Sequence, residues 1–308
     1  MSLKNWARLV VLGFLWGTSY AWIKVAITEI SPVVLVGYRT LFGTLGLLFF
    51  LIFWGKGQLK WREVYPFLGV FALLGLFNVG LPFFLITWSE LYIDSSMTAI
   101  LLSASPLLTV VIAPFFLPEE RFSLAKLGGV LVGFLGVAIL IQPGVGRGAS
   151  GHAAGYAAAL LAALSYAATG VYARKKTQGP PPVVQAFLQL LMAAAWLWGA
   201  IAVTRQPVQV PSQPLTWAAA LWLGLLGSSL AYILFFSLLH SVGATQTSLV
   251  SYITPLVSVI LGVFLLTEQL RWQSLLGGLL ILGGVALTSF QPAGDRLPAK
   301  QPCGDDVK

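Results

Sequence analysis

The chain has 308 residues, of which 57% are hydrophobic and 9% are charged, and its mean hydropathy is +0.86. Soluble domains carry roughly 25% charged residues, so a chain this apolar could not cover itself with polar surface in water and is predicted to lie in a lipid bilayer. The net charge of +8 does not indicate a nucleic-acid partner. The Lys and Arg residues stand in short clusters between apolar runs, as they do in cytoplasmic membrane loops.

The apolar runs predict an all-α polytopic membrane protein with ten transmembrane helices, since one crossing takes about 20 mostly apolar residues. The first run, from Trp6 to about Ile27, is too long for the hydrophobic part of a signal peptide. Turn and loop signals separate the runs, and the weakest separation lies at Glu90 and Asp94. The predicted helices cover residues 6–27, 32–54, 66–88, 95–116, 123–142, 153–173, 182–203, 216–238, 244–266 and 272–290.

The two halves of the chain repeat one another. Pairs matched at an offset of 149 or 150 include Lys24 and Arg174, Thr98 and Thr247, Pro106 and Pro255, Glu119 and Glu268, and Gln142 and Gln291. The predicted parts are a first five-helix repeat over residues 1–143, a glycine-rich linker over 144–152, a second five-helix repeat over 153–290 and a disordered cytoplasmic tail over 291–308. Because five is odd, the second repeat is expected to be inverted, an arrangement typical of transporters with a substrate site between the halves.

Charge predicts the orientation. With the N-terminus inside, 13 of the 18 Lys and Arg residues lie on the cytoplasmic side, four lie on the other side, and Arg39 lies within a helix. The positive-inside rule therefore predicts a multi-pass protein of the cell (inner or plasma) membrane with both termini in the cytoplasm. The loops at Glu119 and Glu268 are then expected on opposite faces. The single cysteine, Cys303, lies in the tail and cannot form an internal disulfide.

Short motifs resemble those of a known family. Trp16-Gly17 followed by Lys24, and the run Ser105-Pro106 … Leu117-Pro118-Glu119-Glu120 … Leu127-Gly128-Gly129 with its second copy, resemble the EamA family of the drug/metabolite transporter superfamily. The resemblance implies ten helices, both termini inside, a substrate site between helices 1, 3, 4 and 6, 8, 9, and transport of small metabolites, often the export of amino acids. Tyr166-Ala167 stand where the second copy would repeat Trp16-Gly17, so the two halves of the cavity need not be chemically symmetric.

Motifs for catalysis are missing from the sequence. It contains no Gly-x-x-x-x-Gly-Lys-Ser/Thr loop, no His-Glu-x-x-His, no paired Cys/His spacing and no Gly-x-Ser-x-Gly. We therefore expect no cofactor, no metal and no enzymatic activity, and interpret Glu119-Glu120 as a solvated connector. The alternatives are a multidrug or cation/proton exchanger, an intramembrane transferase and a channel.

Polar groups at mid-membrane depth are the candidate substrate contacts. Asn78 lies in the middle of the third helix beside Gly80 and Pro82, and a side-chain amide at that depth needs a partner; it either lines the cavity or holds helices together. Its counterpart region in the eighth helix is Gly227-Ser228-Ser229. The full set of predicted substrate-binding residues is Trp16, Tyr20, Arg39, Asn78, Tyr166, Ser229, Tyr232 and Tyr252.

Glycines and prolines suggest two further features. The glycines of helices 5 and 10 are expected to allow close helix packing; they are Gly128, Gly129, Gly133, Gly136, Gly277, Gly278, Gly283 and Gly284. Pro106 and Pro255, at matching points of helices 4 and 9, are interpreted either as kinks beside the translocation path or as inherited bends.

Arg39 carries the sharpest hypothesis. It lies about 10 Å below the outer surface at 1.5 Å per residue, where a charge is costly and suggests function. It could bind a substrate carboxylate, pair with Glu29, Glu90 or Asp94, or extend outward to the interface. No titrating carboxylate is expected deep in the membrane, because Glu90 and Asp94 lie at helix ends. The sequence thus predicts a secondary transporter or facilitator that exports an amino acid or related carboxylate by alternating access. The partners are this substrate and the bilayer, and a homodimer is left open.

Overall fold

The computed structural model describes residues 1–55, 57–117, 123–145, 150–177 and 179–289, and these residues form helices and no strands. We number the helical segments α1 to α10 in chain order. They are α1 (Leu3–Ala26), α2 (Pro32–Phe53), α3 (Trp61–Ser89), α4 (Ser95–Phe116), α5 (Leu124–Val145), α6 (Ser150–Lys176), α7 (Pro182–Val203), α8 (Pro214–Thr247), α9 (Val250–Leu266) and α10 (Trp272–Ser289).

Seven of these segments are long and apolar enough to cross a membrane, which makes the chain a helical membrane protein. They are α1, α2, α3, α4, α6, α7 and α8. Three shorter apolar stretches, Lys126–Gln142, Val250–Leu266 and Trp272–Thr288, belong to α5, α9 and α10. Large apolar side chains such as Phe49, Leu131 and Phe264 lie exposed on the outside of these helices, as expected of a surface that faces lipid tails.

The boundary between α8 and α9 differs from the sequence prediction. The eighth segment was predicted to end at residue 238 and the ninth to begin at 244. In the structure α8 runs to Thr247 with a kink of non-helical backbone at Gly243, and α9 begins at Val250. Gly243 has φ 81° and ψ 174°, a conformation that glycine adopts at little cost. Hydropathy does not report such a kink, because it depends on the backbone angles of one residue.

Two helices contain wide π-helical turns at their middles, Gly75–Gly80 in α3 and Trp222–Leu230 in α8. In α3 the turn is followed by Pro82, which lacks an N–H and cannot continue the regular pattern. The N–H of Leu81 donates instead to the carbonyl of Leu76, five residues earlier. The regular helix is thus interrupted beside Gly80 and Pro82. Such turns often occur at functional sites.

The matching prolines of α4 and α9 behave differently. α4 is interrupted at Ser103 and Ala104, and its second part, Ser105–Phe116, begins with Pro106 in its first turn. Pro255 lies inside the continuous α9. The two matching prolines therefore occupy different positions within their helices. A proline in a first helical turn leaves no hydrogen bond unmade, whereas one inside a helix does.

Close packing of α5 against α10 depends on glycines, as predicted. A Cβ atom on Gly129 would lie 2.6 Å from the carbonyl oxygen of Gly284, and one on Gly136 would lie 2.6 Å from that of Gly277. Only hydrogen fits at these contacts, so the two backbones touch. Gly128 and Gly283, by contrast, face no atom within 4 Å, and for them the prediction of close packing was wrong.

The turns that follow α1, α3, α7 and α9 meet at one end of the helix bundle, which we term the Glu268 end. Glu29 accepts hydrogen bonds from the backbone N–H and side chain of Ser212. Glu268 accepts four, from the backbone N–H and hydroxyl groups of Ser95 and of Ser96, at 2.6–3.1 Å. These carboxylates occupy the N-termini of α8 and α4, where helix dipoles favour negative charge.

Candidate functional site

Arg39 lies in α2 with its side chain enclosed by protein. It is 5% exposed, its Nε donates to Ser228 Oγ at 3.2 Å, and its guanidinium carbon stands 3.7 Å from the centre of the Phe83 ring. The ion pair found in the described part of the chain is Lys60–Glu63. Arg39 therefore neither pairs with a carboxylate there nor extends outward to the surface, which removes two of its three predicted roles.

Three predicted tyrosines lie near Arg39. The phenol groups of Tyr20, Tyr166 and Tyr232, and the carboxyl group of Glu90, lie close enough to interact with its charge. The three tyrosines are half-buried, and Tyr166 packs against two different hydrophobic clusters, one of them shared with Tyr20 and the other with Tyr232. The arrangement is a cation with unused N–H donors among neutral hydroxyl groups, which suits a small anion with further hydrogen-bonding groups.

Trp16 lies in a different cluster from these tyrosines. The Trp16 ring lies 5.7 Å from that of Phe235 and packs against a cluster that includes Leu9 and Leu12. Tyr252 packs against the hydrophobic cluster shared with Tyr20. Of the aromatic residues predicted to line the site, the structure brings Tyr20, Tyr166 and Tyr232 to Arg39.

Asn78 holds three helices together. Its Nδ2 donates to Gln189 Oε1 of α7 at 2.8 Å, and its Oδ1 accepts from Thr169 Oγ1 of α6 at 2.8 Å. Both ends of the amide are satisfied by protein. Of the two predicted roles for Asn78, the contacts favour interhelical bonding over cavity lining.

The two polar contacts are counterparts of each other. Arg39 and Gln189 occupy matching positions of the repeat, and so do Asn78 and Ser228, both at an offset of 150. Arg39 of α2 bonds to the π-helical turn of α8, and Gln189 of α7 bonds to that of α3. Each contact thus joins one half of the chain to the other half.

Glycines in the two π-helical turns allow α7 and α2 to approach these turns closely. A Cβ on Gly75 would lie 2.9 Å from the Gln189 carbonyl oxygen, and one on Gly224 would lie 3.0 Å from that of Arg39. The predicted Ser229 donates to the Gly43 carbonyl oxygen at 2.8 Å and so bonds α8 to α2. Its neighbour Ser228 is the residue that reaches Arg39.

The predicted substrate-binding set does not include four residues of these contacts, namely Phe83, Thr169, Gln189 and Ser228. For Gln189 and Ser228 a signal was present, since each matches a singled-out residue at the offset of 150. For Phe83 and Thr169 no signal existed, because their contacts depend on how the helices are rotated. The described residues contain no group of three or more His, Cys, Asp or Glu side chains placed to hold a metal ion.

A groove of about 350 Å³ lies between α3 and α6, lined by Leu73, Phe77, Leu161, Leu164, Ser165 and Thr169 among others. Thr169 connects its wall to Asn78, and Ser165 donates to the Phe77 carbonyl. The groove is thus next to the Asn78 contact and separate from the enclosed Arg39 side chain.

A helical membrane protein with a buried polar centre between two repeated halves fits the class of membrane transporters. Comparison with known families agrees: the model of the EamA-like transporter family matches residues 6–142 and 153–290. The chain belongs to this family.

Similar proteins cover nearly its full length. An uncharacterized transporter of Archaeoglobus fulgidus is 22% identical over 92% of this chain and 98% of its own. The uncharacterized inner membrane transporter YedA of Escherichia coli K12 is 26% identical over 93% and 91%. A "probable amino-acid metabolite efflux pump" of Salmonella typhimurium is 24% identical over 94% and 96%. One crystal structure, 23% identical, superimposes with a TM-score of 0.66 over 92% of this chain and 97% of that one, which shows a shared fold.

Proposed function

We propose that this protein is a secondary transporter or facilitator that moves an amino acid or related carboxylate-bearing metabolite by alternating access, as an exporter in the cell membrane. The substrate carboxylate binds Arg39, and Tyr20, Tyr166 and Tyr232 contribute hydrogen bonds. The name of the Salmonella relative supports the substrate class and the direction, and that of the Escherichia coli relative supports the inner membrane.

The observation that carries the proposal is the buried charge of Arg39, which forms no ion pair with a carboxylate of the described residues. A guanidinium enclosed in protein without a carboxylate partner is costly, and the cost is offset when an anion binds to it bidentately. Ser228 and Phe83 occupy one N–H and one face of the group. A cationic substrate would be repelled here, which argues against a cation exchanger.

We further propose that α1 to α10 all cross the membrane, as two inverted five-helix repeats with both termini in the cytoplasm. The reciprocal contacts Arg39–Ser228 and Gln189–Asn78 support the repeat, because equivalent residues make equivalent contacts across the two halves. The clustering of alternate turns at the Glu268 end supports the count of crossings.

A thermal-shift screen of purified protein tests the substrate class, since a ligand stabilises the state it binds. The probes are L-amino acids paired with their carboxamides, which lack the charged carboxylate. We expect stabilisation of the wild type by at least one amino acid and not by its carboxamide. Arg39→Gln should weaken that binding by roughly ten- to a hundredfold, the range for losing a charged hydrogen bond of about 1.5–3 kcal/mol.

The matched control is Arg62→Gln, which removes an equal charge from an exposed position and should leave binding unchanged. Arg39→Lys retains the charge without the bidentate geometry and should bind with intermediate strength. Two results would show that the carboxylate assignment is wrong. One is that carboxamides stabilise the wild type as well as the amino acids do, and the other is that Arg39→Gln binds the amino acids with normal affinity.

A further inference from the structure

Glu90, the residue after the end of α3, is completely buried, with 0% of its surface exposed. Neither of its carboxylate oxygens has a hydrogen-bond partner among the described residues. Its position at a helix end suggested access to water, but the packing of the protein leaves none of its surface exposed. A bare carboxylate without donors is among the costliest groups to bury, so this side chain needs a cation.

In the described part of the chain, the charged side chains nearest to Glu90 do not form an ion pair with its carboxylate. Lys24 of α1 points its ammonium group at backbone carbonyl oxygens of the same turn, 2.6 Å from that of Glu90 and 3.0 Å from that of Ile93. It makes no ion pair with the Glu90 carboxylate. Arg39 of α2 and Glu268 interact with Glu90 only at longer range.

From this geometry we infer that Glu90 is a proton-binding site of the transport cycle, occupied while the Glu268 end is closed. Its oxygens have no accessible surface, so a proton is the cation small enough to reach them. Burial raises the pKa of the Glu90 carboxyl well above its usual range; Lys24 and Arg39 oppose this effect and Glu268 adds to it. The phenol of Tyr20 on α1 also faces the group.

The proton is tied to the conformation because the turn containing Glu90 is held at both ends. Lys24 holds the carbonyl groups of Glu90 and Ile93, and Glu268 holds the N–H groups of Ser95 and Ser96. Opening this end for alternating access breaks these contacts and admits water. The exposed carboxylic acid then transfers its proton to water and becomes a carboxylate, and closing again requires a proton to be taken up.

Other titratable groups of this end are distinguishable from Glu90. Burial raises the pKa of Asp94 in the same turn, where Glu268 adds to the effect and Lys24, His152 and Arg271 oppose it. Asp94 is exposed, however, so water can solvate its charge. Glu268 differs in another way, because both of its carboxylate oxygens accept hydrogen bonds.

Infrared spectroscopy of the full-length protein in nanodiscs tests the inference without any substrate. The wild type at neutral pH should show the carbonyl stretching band of a protonated carboxylic acid, and Glu90→Gln should lose it. The exposed Glu63→Gln should keep it. Absence of the band from the wild type, or its persistence in Glu90→Gln, overturns the assignment.

Thermal unfolding measured over a series of pH values provides a second test if other signals hide the infrared band. The folded wild type keeps a proton that the unfolded chain loses near its ordinary pKa of about 4.5, so its stability falls as pH rises from there towards the raised pKa. Glu90→Gln cannot ionise and should become progressively more stable than the wild type over that range, with equal stability below it. Parallel curves contradict the inference.

Coupling to transport rests on the proposed function and is measured separately. In proteoliposomes with a pH-sensitive dye inside, addition of the standard L-amino acids should change the internal pH for the wild type and not for Glu90→Gln. Amino-acid binding without proton movement would overturn the coupling and leave the proposed function intact. Conversely, observation of the infrared band without any amino-acid binding would overturn the proposed function and leave the proton-binding site intact.

Discussion

Asn78 Nδ2 donates a hydrogen bond of 2.8 Å to Gln189 Oε1, joining the irregular middle of α3 to α7. Gln189 occupies the position in the second half that Arg39 occupies in the first. Equivalent contacts between the two halves therefore involve the neutral amide of Gln189 in one case and the guanidinium of Arg39 in the other. This difference separates the structural role of the contact from the binding role proposed for Arg39.

Gln189→Leu should destabilise the protein while leaving ligand binding intact. The substitution leaves the Asn78 amide without its acceptor inside the helix bundle, at a cost of about 1–3 kcal/mol. Thermal unfolding in detergent measures the loss, and Gln206→Leu at an exposed position is the control. A Gln189→Leu protein of normal stability would show that Asn78 does not depend on this bond.

Gly284→Ala should destabilise the packing of α5 against α10. The added Cβ would lie 2.5 Å from the Gly129 carbonyl oxygen and 2.7 Å from the Gly133 nitrogen, so the helices must separate, at a cost of about 1–3 kcal/mol.

The adjacent Gly283→Ala is the matched control, because nothing lies within 4 Å of its Cβ position. Alanine is the better helix former, so this variant should match or exceed the wild type in stability. Equal unfolding temperatures for the two variants would contradict the packing observed here.

Glu29 should make stability depend on pH in the acid range. Hydrogen bonds from the Ser212 side chain, then from Thr216 and the Ser212 backbone, lower the pKa of Glu29 to about 2. A lowered pKa in the folded protein contributes stability above the unfolded value of about 4.5, and that stability is lost as pH falls towards 2.

Glu29→Gln should therefore unfold at a lower temperature than the wild type near pH 7, and the difference should shrink on acidification. The exposed Glu63→Gln is the control. A difference independent of pH would mean that the ionised carboxylate is not what holds Ser212.

Cysteine labelling tests the membrane topology. In a Cys303→Ala background, single cysteines at Glu119 and at Glu268 should react with an impermeant reagent from opposite faces of intact cells, with Glu268 accessible from outside. Glu119 lies outside the described residues, so its side of the membrane is determined by the labelling experiment alone. Labelling of both from the same face would rule out inverted repeats.

The sequence by itself determined the class of the protein. Its apolar runs predicted the helices to within a few residues for most segments, and α4 was predicted with the bounds it has. The constant offset predicted which residues are equivalent, and close approach at Gly129 and Gly136 followed from their small size. These features depend on composition and local spacing, which a linear sequence contains.

Only the tertiary structure decided which polar groups meet. The depth of Tyr20, Tyr166 and Tyr232 along their helices made each a candidate, as it did for Trp16. The rotation of each helix decides that the three tyrosines lie near Arg39, whereas Trp16 packs against Phe235. Glu90 was placed at a helix end by sequence, and only the packing of other helices decides that its carboxylate oxygens are buried. Burial and partnership are properties of residues far apart in the chain, and depth along a helix does not specify the direction in which a side chain points.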